Sequence, residues 1–228
     1  MKNLFIQTKD LTNKGYLDYI NGNYLDIYDD KVFNARRRLI EAGYYDSIIN
    51  QLNNILNQLN ITNKLILDAG CGEGTILSLL THNIKYGIDL SKSAIEFAYQ
   101  AYPDLILGIA DTNNLPFEEN SFDCILNIFS LKNYEQFNKV LKPKGYIIKV
   151  FPLDTNNKYA MNAIEKQKEE FFNTFDFVQE ETTYATIEID EKDIQDYIDI
   201  NPELFIYDNF EENQQMILDT LYLVGQKR

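Results

Sequence analysis

The sequence predicts an α/β protein, a mostly parallel sheet with helices on both faces. Three observations predict it. Short continuous apolar runs at 65–67, 84–88, 105–109, 122–129 and 146–151 read as buried strands, and stretches of helical period separate them. The first run opens into a glycine-rich turn, Gly70-Cys71-Gly72-Glu73-Gly74, and then into a helix. The 228 residues are 45% apolar and 25% charged, an ordinary globular composition long enough to bury a core without staples. Strands joined by helices imply right-handed crossovers, hence parallel pairing.

Residues 1–30 are polar and aromatic (Tyr16, Tyr19, Tyr24, Tyr28) without a clear period, and read as an extended or loosely structured arm. Asp29-Asp30 suits a helix N-cap. Over 32–59 apolar residues recur at steps of three and four (Leu39, Tyr44, Ile48, Leu52, Leu56, Leu59), which is one or two amphipathic helices broken near Gly43. Residues 1–60 are thus expected to form an N-terminal arm and helices packed on or over the site, ahead of a main domain at 61–228. Within the main domain, helices are expected at 75–80, from a Ser91 cap to 102, and at 134–141, with a turn at Lys142-Pro143-Lys144-Gly145. The last third reads as a helix at 159–172, strand-like segments at 175–189, a helix at 190–200 and a closing strand around Leu221-Tyr222-Leu223-Val224.

Lys and Arg number 21 against 35 Asp and Glu, a formal net charge of −14. Such a chain repels nucleic acid at long range unless a local basic patch overrides the total. Two separated cysteines and one histidine, His82 in a polar turn, exclude a four-ligand structural zinc site and a disulfide framework. No apolar run approaches the roughly 20 residues that span a bilayer, and the N-terminal residues lack a signal-peptide core. A cytoplasmic protein bound to neither membrane nor metal is expected.

The chemistry concentrates at strand ends. Asp68 precedes Gly70-Cys71-Gly72-Glu73-Gly74, where glycines let backbone approach a ligand closely. A dinucleotide loop would read Gly-x-Gly-x-x-Gly; Thr75 holds the last position here, which disfavours a dinucleotide. Asp89 ends the second strand, 19 residues after Gly70, the distance at which an acid holds ribose hydroxyls. Ala110-Asp111 ends the third. Three carboxylates at consecutive strand ends suit a ligand with a cationic amino end, a ribose and an adenine, which is S-adenosylmethionine. Each piece has a plainer reading as a helix cap or solvated acid; their order and spacing together point to the cofactor.

These motifs resemble the class I S-adenosylmethionine-dependent methyltransferases over about residues 64–151. That resemblance implies a Rossmann-like, seven-stranded sheet with an antiparallel strand near its end, which 221–224 would supply. A finer similarity begins at Asn34-Ala35-Arg36-Arg37-Arg38-Leu39-Ile40-Glu41-Ala42-Gly43-Tyr44-Tyr45. It continues through Asp68-Ala69-Gly70-Cys71-Gly72-Glu73-Gly74 and Gly87-Ile88-Asp89-Leu90-Ser91-Lys92-Ser93-Ala94-Ile95. Tyr102-Pro103, Leu115-Pro116-Phe117 and Lys14-Gly15-Tyr16 fit it too. The family so resembled is the large-subunit ribosomal RNA guanine-N1 methyltransferases. Its members carry an N-terminal zinc ribbon that helps hold RNA; this chain starts about where the ribbon would end and has no ligands for one. Two departures fall on the acceptor side: Leu131 stands where the family has proline, and Asp154-Thr155-Asn156-Asn157 replaces a His-Leu motif.

The resemblance implies cofactor contacts at Asp68, Gly70, Cys71, Gly72, Asp89, Leu90, Ala110, Asp111 and Asn127, with Cys71 a small packing residue and not a nucleophile. Arg36, Arg37, Tyr45 and Ser130 are the candidate substrate contacts. Arg36, Arg37 and Arg38 would grip phosphate, close over the cofactor, or pair with nearby acids; at most two share a helix face. Tyr44 and Tyr45 would cover the cofactor, stack on a base or pack in the core. No general base stands out. An RNA enzyme predicts a basic cleft around Arg36–Arg38, Lys31 and Lys92. A small-molecule methyltransferase of the same fold predicts an enclosed aromatic pocket with negative potential, and a non-catalytic S-adenosylmethionine-binding protein predicts binding without turnover. Ribosomal RNA would be the partner in the first case, and a monomer or homodimer the assembly.

Overall fold

A computed structural model describes residues 4–5, 15–20, 22, 24, 30–81, 83–200 and 215–228. His82 and Asp29, which carried expectations above, lie outside the described residues. The strands are β1 (Leu17–Asp18), β2 (Leu65–Ala69), β3 (Ile84–Asp89), β4 (Ile106–Ile109), β5 (Phe122–Ile128), β6 (Leu141–Pro152), β7 (Phe175–Thr183), β8 (Thr186–Glu188), β9 (Gln215–Ile217) and β10 (Thr220–Lys227). The helices are α1 (Asp30–Glu41), α2 (Asp46–Gln58), α3 (Thr75–Leu79), α4 (Lys92–Ala101), α5 (Tyr134–Val140), α6 (Lys158–Thr174) and α7 (Ile194–Ile200), the last entered through a single 3₁₀ turn.

The main sheet runs β1-β4-β3-β2-β5-β6-β10-β7. Pairs from β1 to β6 are parallel, and β10 lies antiparallel between β6 and β7. The family resemblance implies seven strands in this sheet; among the described residues it has eight. The extra one comes from the arm, where Leu17 and Asp18 pair with Gly108 and Ile109. The arm is therefore not merely loose: β1 completes the sheet of the main domain, and Phe5 bridges to Phe117 in antiparallel register. β8 and β9 form a separate two-stranded sheet.

Successive strand residues feed opposite cores, because side chains alternate across a sheet. Ile66, Leu107, Ile109, Leu126 and Ile148 join Ile48, Leu52, Ile55, Leu77 and Ile95 of α2, α3 and α4 in one core. Leu67, Ile88, Ile125, Ile147 and Leu223 join Phe137 and Phe171 of α5 and α6 in the other. The continuous apolar runs reflect this burial on both faces. Gly43 breaks α1 from α2 at φ +92°. Ser91 caps α4, its side chain accepting from the Ala94 amide at 3.1 Å. The turn expected at 142–145 sits inside β6, where pairing to β5 jumps from Phe122↔Leu141 to Cys124↔Tyr146 and Lys144 takes φ +64°.

Candidate functional site

The strand ends β2, β3, β4 and β5 open onto one cavity of about 390 Å³. Strand order reverses beside β2, the place where open α/β sheets bind ligands. Of the predicted cofactor contacts, Asp68, Gly70, Cys71, Gly72, Asp89, Leu90 and Ala110 line it; of the predicted substrate contacts, Arg36, Tyr45 and Ser130 do.

Asp68 ends β2 with 2% of its surface exposed. Its Oδ1 is buried and has no hydrogen-bond partner. Burial, reinforced by the nearby charges of Asp89 and Glu73, raises its pKa from the ordinary 3.8 to about 8. An orphaned buried carboxylate oxygen is costly, and a cationic amino group would satisfy it. The carboxylate of Asp89 holds the loop itself: Oδ2 accepts from the Gly72 amide at 2.9 Å and Oδ1 from the Ser91 amide at 2.9 Å. Burial still pushes its pKa upward against those bonds. Each oxygen keeps lone-pair capacity toward the cavity.

Glu73, buried at 3% exposure, was not among the expected contacts. It accepts from Arg36 Nη1 at 3.1 Å, which ties α1 to the glycine-rich loop. Phe33 and Arg36 sit three residues apart on α1, so both face the cavity. Arg37 points elsewhere, pairing with Glu41 at 2.7 Å and lying 5.8 Å over the Tyr102 ring. Arg38 binds Asp196 of α7 through two bonds of 2.6 Å. Helical twist thus leaves one of the three arginines at the cavity. Burial holds the Tyr45 phenol and the Cys71 thiol up, so both stay protonated; Cys71 is no nucleophile.

Two expected contacts, Asp111 and Asn127, are not among the residues that line the cavity. Asp111 Oδ1 accepts from the Asn113 amide at 2.8 Å, a local turn, while Ala110 and Thr112 line the cavity on either side. Asn127 is fully buried; its Nδ2 donates to Ala69 O at 2.7 Å and Leu131 O at 2.9 Å, joining β2 to the loop after β5. Tyr44, too, is turned away, donating to Asp193 and accepting from the Asp190 amide at 2.9 Å each.

Lys149 was missed. It lies in β6 at 2% exposure, and its Nζ donates to Asn127 Oδ1 and Ser130 O, both at 2.7 Å. Burial, with Lys132 nearby, lowers its pKa from 10.5 to about 7. The sequence signal was a lysine inside the apolar run Tyr146-Ile147-Ile148-Lys149-Val150-Phe151. Its two bonds fix the loop Phe129-Ser130-Leu131, where Phe129 takes φ +49° and Phe129 and Leu131 are exposed at the cavity. Gly70, at φ +93°, lets that loop close on the glycine-rich turn: a Cβ there would fall 1.8 Å from Ser130 Oγ.

Comparison with known proteins agrees with this geometry. Residues 67–149 match the methyltransferase domain family model. A Bacillus subtilis protein named as a 23S rRNA (guanine-N1)-methyltransferase is 37% identical over 155 residues, covering 64% of this chain and 55% of that protein. A Mycobacterium tuberculosis phthiotriol/phenolphthiotriol dimycocerosates methyltransferase is 33% identical over 128 residues, covering 49% and 46%. The chain spans about half the length of the curated relatives it matches. Among solved structures, Bacillus subtilis YcgJ matches with TM-score 0.55 at 15% identity, covering 73% of this chain and 93% of that one. A chain from the Haloferax volcanii complex of the Trm112 methyltransferase activator with a methyltransferase matches with TM-score 0.55 at 17%, covering 88% and 99%. The chain therefore carries a class I methyltransferase domain, of the kind that takes S-adenosylmethionine as methyl donor, and it resembles the large-subunit ribosomal RNA guanine-N1 methyltransferases.

Proposed function

We propose that the protein methylates guanine N1 of large-subunit ribosomal RNA in the cytoplasm, as a monomer or homodimer. The observation that carries this reading is sequence similarity, which joins the Asn34–Tyr45 segment to the cofactor core and reaches 37% identity with a relative named for that reaction. The cavity fits the cofactor. A cationic group would satisfy Asp68 Oδ1, and three wall carboxylates against one guanidinium suit a ligand whose cations outnumber its carboxylate. Gly70 and Gly72 admit its close approach, and Asp89 is the acceptor for its ribose hydroxyls. When bound, S-adenosylmethionine supplies an electrophilic methyl group for direct displacement. This chain's residues orient the reactants and exclude water. The Phe129-Ser130-Leu131 loop, fixed by Lys149, forms the acceptor side of the cavity.

A second reading, a small-molecule acceptor, has an observation in its favour. The cations expected to form a basic cleft are paired with acids: Arg36 with Glu73, Arg37 with Glu41, Arg38 with Asp196, Lys31 with Asp199 at 2.9 Å, and Lys92 with Glu96 at 4.0 Å. Phe33, Tyr45, Phe129 and Leu131 give the cavity an apolar lining.

The test offers methyl-labelled S-adenosylmethionine with deproteinised, unmethylated large-subunit RNA and, in parallel, a small-molecule cell extract. Label in RNA, recovered as N1-methylguanosine and lost in Asp89→Ala, is the expected result. Label confined to the small-molecule fraction makes the second reading correct. Cofactor binding with no label in either makes the chain a binding protein.

A further inference from the structure

Two complementary groups line the cavity. One is the partnerless Asp68 Oδ1 at the end of β2. The other is the Arg36 guanidinium on α1, the one cation among the described residues that line the cavity. Glu73 anchors this guanidinium at 3.1 Å, and it lies against the second loop glycine: a Cβ on Gly72 would be 3.7 Å from Arg36 Nη1. An amino-acid end carries an ammonium and a carboxylate on adjacent atoms. Asp68 answers the ammonium. A donor of opposite charge suits the carboxylate, and the Arg36 guanidinium is such a donor. A guanidinium presents several N–H donors in a planar fork, so it can serve more than one carboxylate.

We propose that Arg36 is a cofactor-specificity residue: it binds the carboxylate of the methionine end of S-adenosylmethionine whose ammonium Asp68 takes, and Glu73 holds it in position to do so. Arg36 therefore belongs to the donor side of the reaction and not to the grip on substrate phosphate. The assignment rests on the cofactor reading of the cavity. It makes the site select for an intact amino-acid end and against the decarboxylated form of the same molecule.

The test is equilibrium binding by calorimetry, without any methyl acceptor, of S-adenosylmethionine and decarboxylated S-adenosylmethionine. Removing Arg36 alone strands Glu73 in a buried site, so Arg36→Met is combined with Glu73→Gln and thermal melting checks the fold. The unmodified protein is expected to prefer the intact cofactor by about tenfold or more. The double variant is expected to lose that preference or invert it, and Glu73→Gln alone, whose amide oxygen still accepts from Arg36, is expected to reduce it by less. A double variant that keeps the preference of the unmodified protein overturns the proposal and makes Arg36–Glu73 a purely structural pair or a phosphate grip. An unmodified protein that binds neither ligand overturns the cofactor reading and this assignment with it. One that binds both equally overturns this assignment alone.

Discussion

At the scale of the residue, Asp68 is where sequence and chemistry agree most closely. Its place before the glycine-rich loop was legible, because only that position aims a carboxylate from the end of β2 into the ligand site. Removing its charge by Asp68→Asn is expected to weaken S-adenosylmethionine binding about 10- to 100-fold, the loss of one charge-assisted hydrogen bond, as read by calorimetry. The same residue makes stability depend on pH. Its folded pKa of about 8 lies above the ordinary 3.8, so the folded state holds the proton that the unfolded state releases between those values. Its contribution is greatest below about pH 4 and is lost as pH rises toward 8. Melting curves at several pH values should show Asp68→Asn flattening this trend, and saturating cofactor should do the same by pairing the carboxylate. Which arginine faces the cavity was not legible. Three consecutive arginines differ only by 100° steps around α1, and packing against the loop decides among them. Asp111 and Asn127 read as cofactor contacts because strand ends usually offer them; in the structure the Asn113 amide takes Asp111 Oδ1, and the Ala69 carbonyl and Lys149 take the Asn127 side chain.

At the scale of the element, β6 carries the least expected feature, Lys149. Lys149→Ala leaves Asn127 Oδ1 and the Ser130 carbonyl without their buried donor. The expected destabilisation is about 1–3 kcal/mol for each such group, measured by chemical denaturation. Because its folded pKa, about 7, lies below the ordinary 10.5, the buried ammonium opposes folding below pH 7, and that cost fades as pH rises toward 10.5. The unmodified protein should therefore gain stability relative to Lys149→Ala as pH rises through this window. β10 offers a packing test. A Cβ on Gly225 would lie 2.7 Å from Phe175 Cβ and 2.8 Å from the Phe171 ring. Gly225→Ala is expected to cost about 1–3 kcal/mol through overpacking, without changing cofactor affinity. The strands from β2 to β6 were legible because burial on both faces makes each one an uninterrupted apolar run. β1 was not: two residues carry no period, and they become a strand only because the edge of β4 offers Gly108 and Ile109 to pair with.

At the scale of the whole molecule, the −14 charge is not offset by a basic face at α1. The acidic helix α7 covers it, with Asp196 on Arg38 and Asp199 on Lys31. Exposed pairs of this kind contribute about 0–1 kcal/mol each, so Asp196→Asn with Asp199→Asn should barely move the melting temperature. For an RNA enzyme, the same double change should raise RNA affinity and steepen its fall with salt, because two cations become available to phosphate. Filter binding at several salt concentrations reads this. For a small-molecule enzyme it should change neither. Sequence alone could not place this cover, since α1 and α7 lie more than 150 residues apart and meet only through tertiary packing.

The proposed function places S-adenosylmethionine in the cavity at the ends of β2 and β3, on Asp68 and Asp89. Calorimetric titration of the unmodified protein, Asp68→Asn and Asp89→Ala tests it most directly. One saturable site in the unmodified protein, weakened about tenfold or more in each variant that still melts cooperatively, is the expected result. No binding to the unmodified protein, or equal affinity in all three, would rule out a cofactor site built on these two carboxylates.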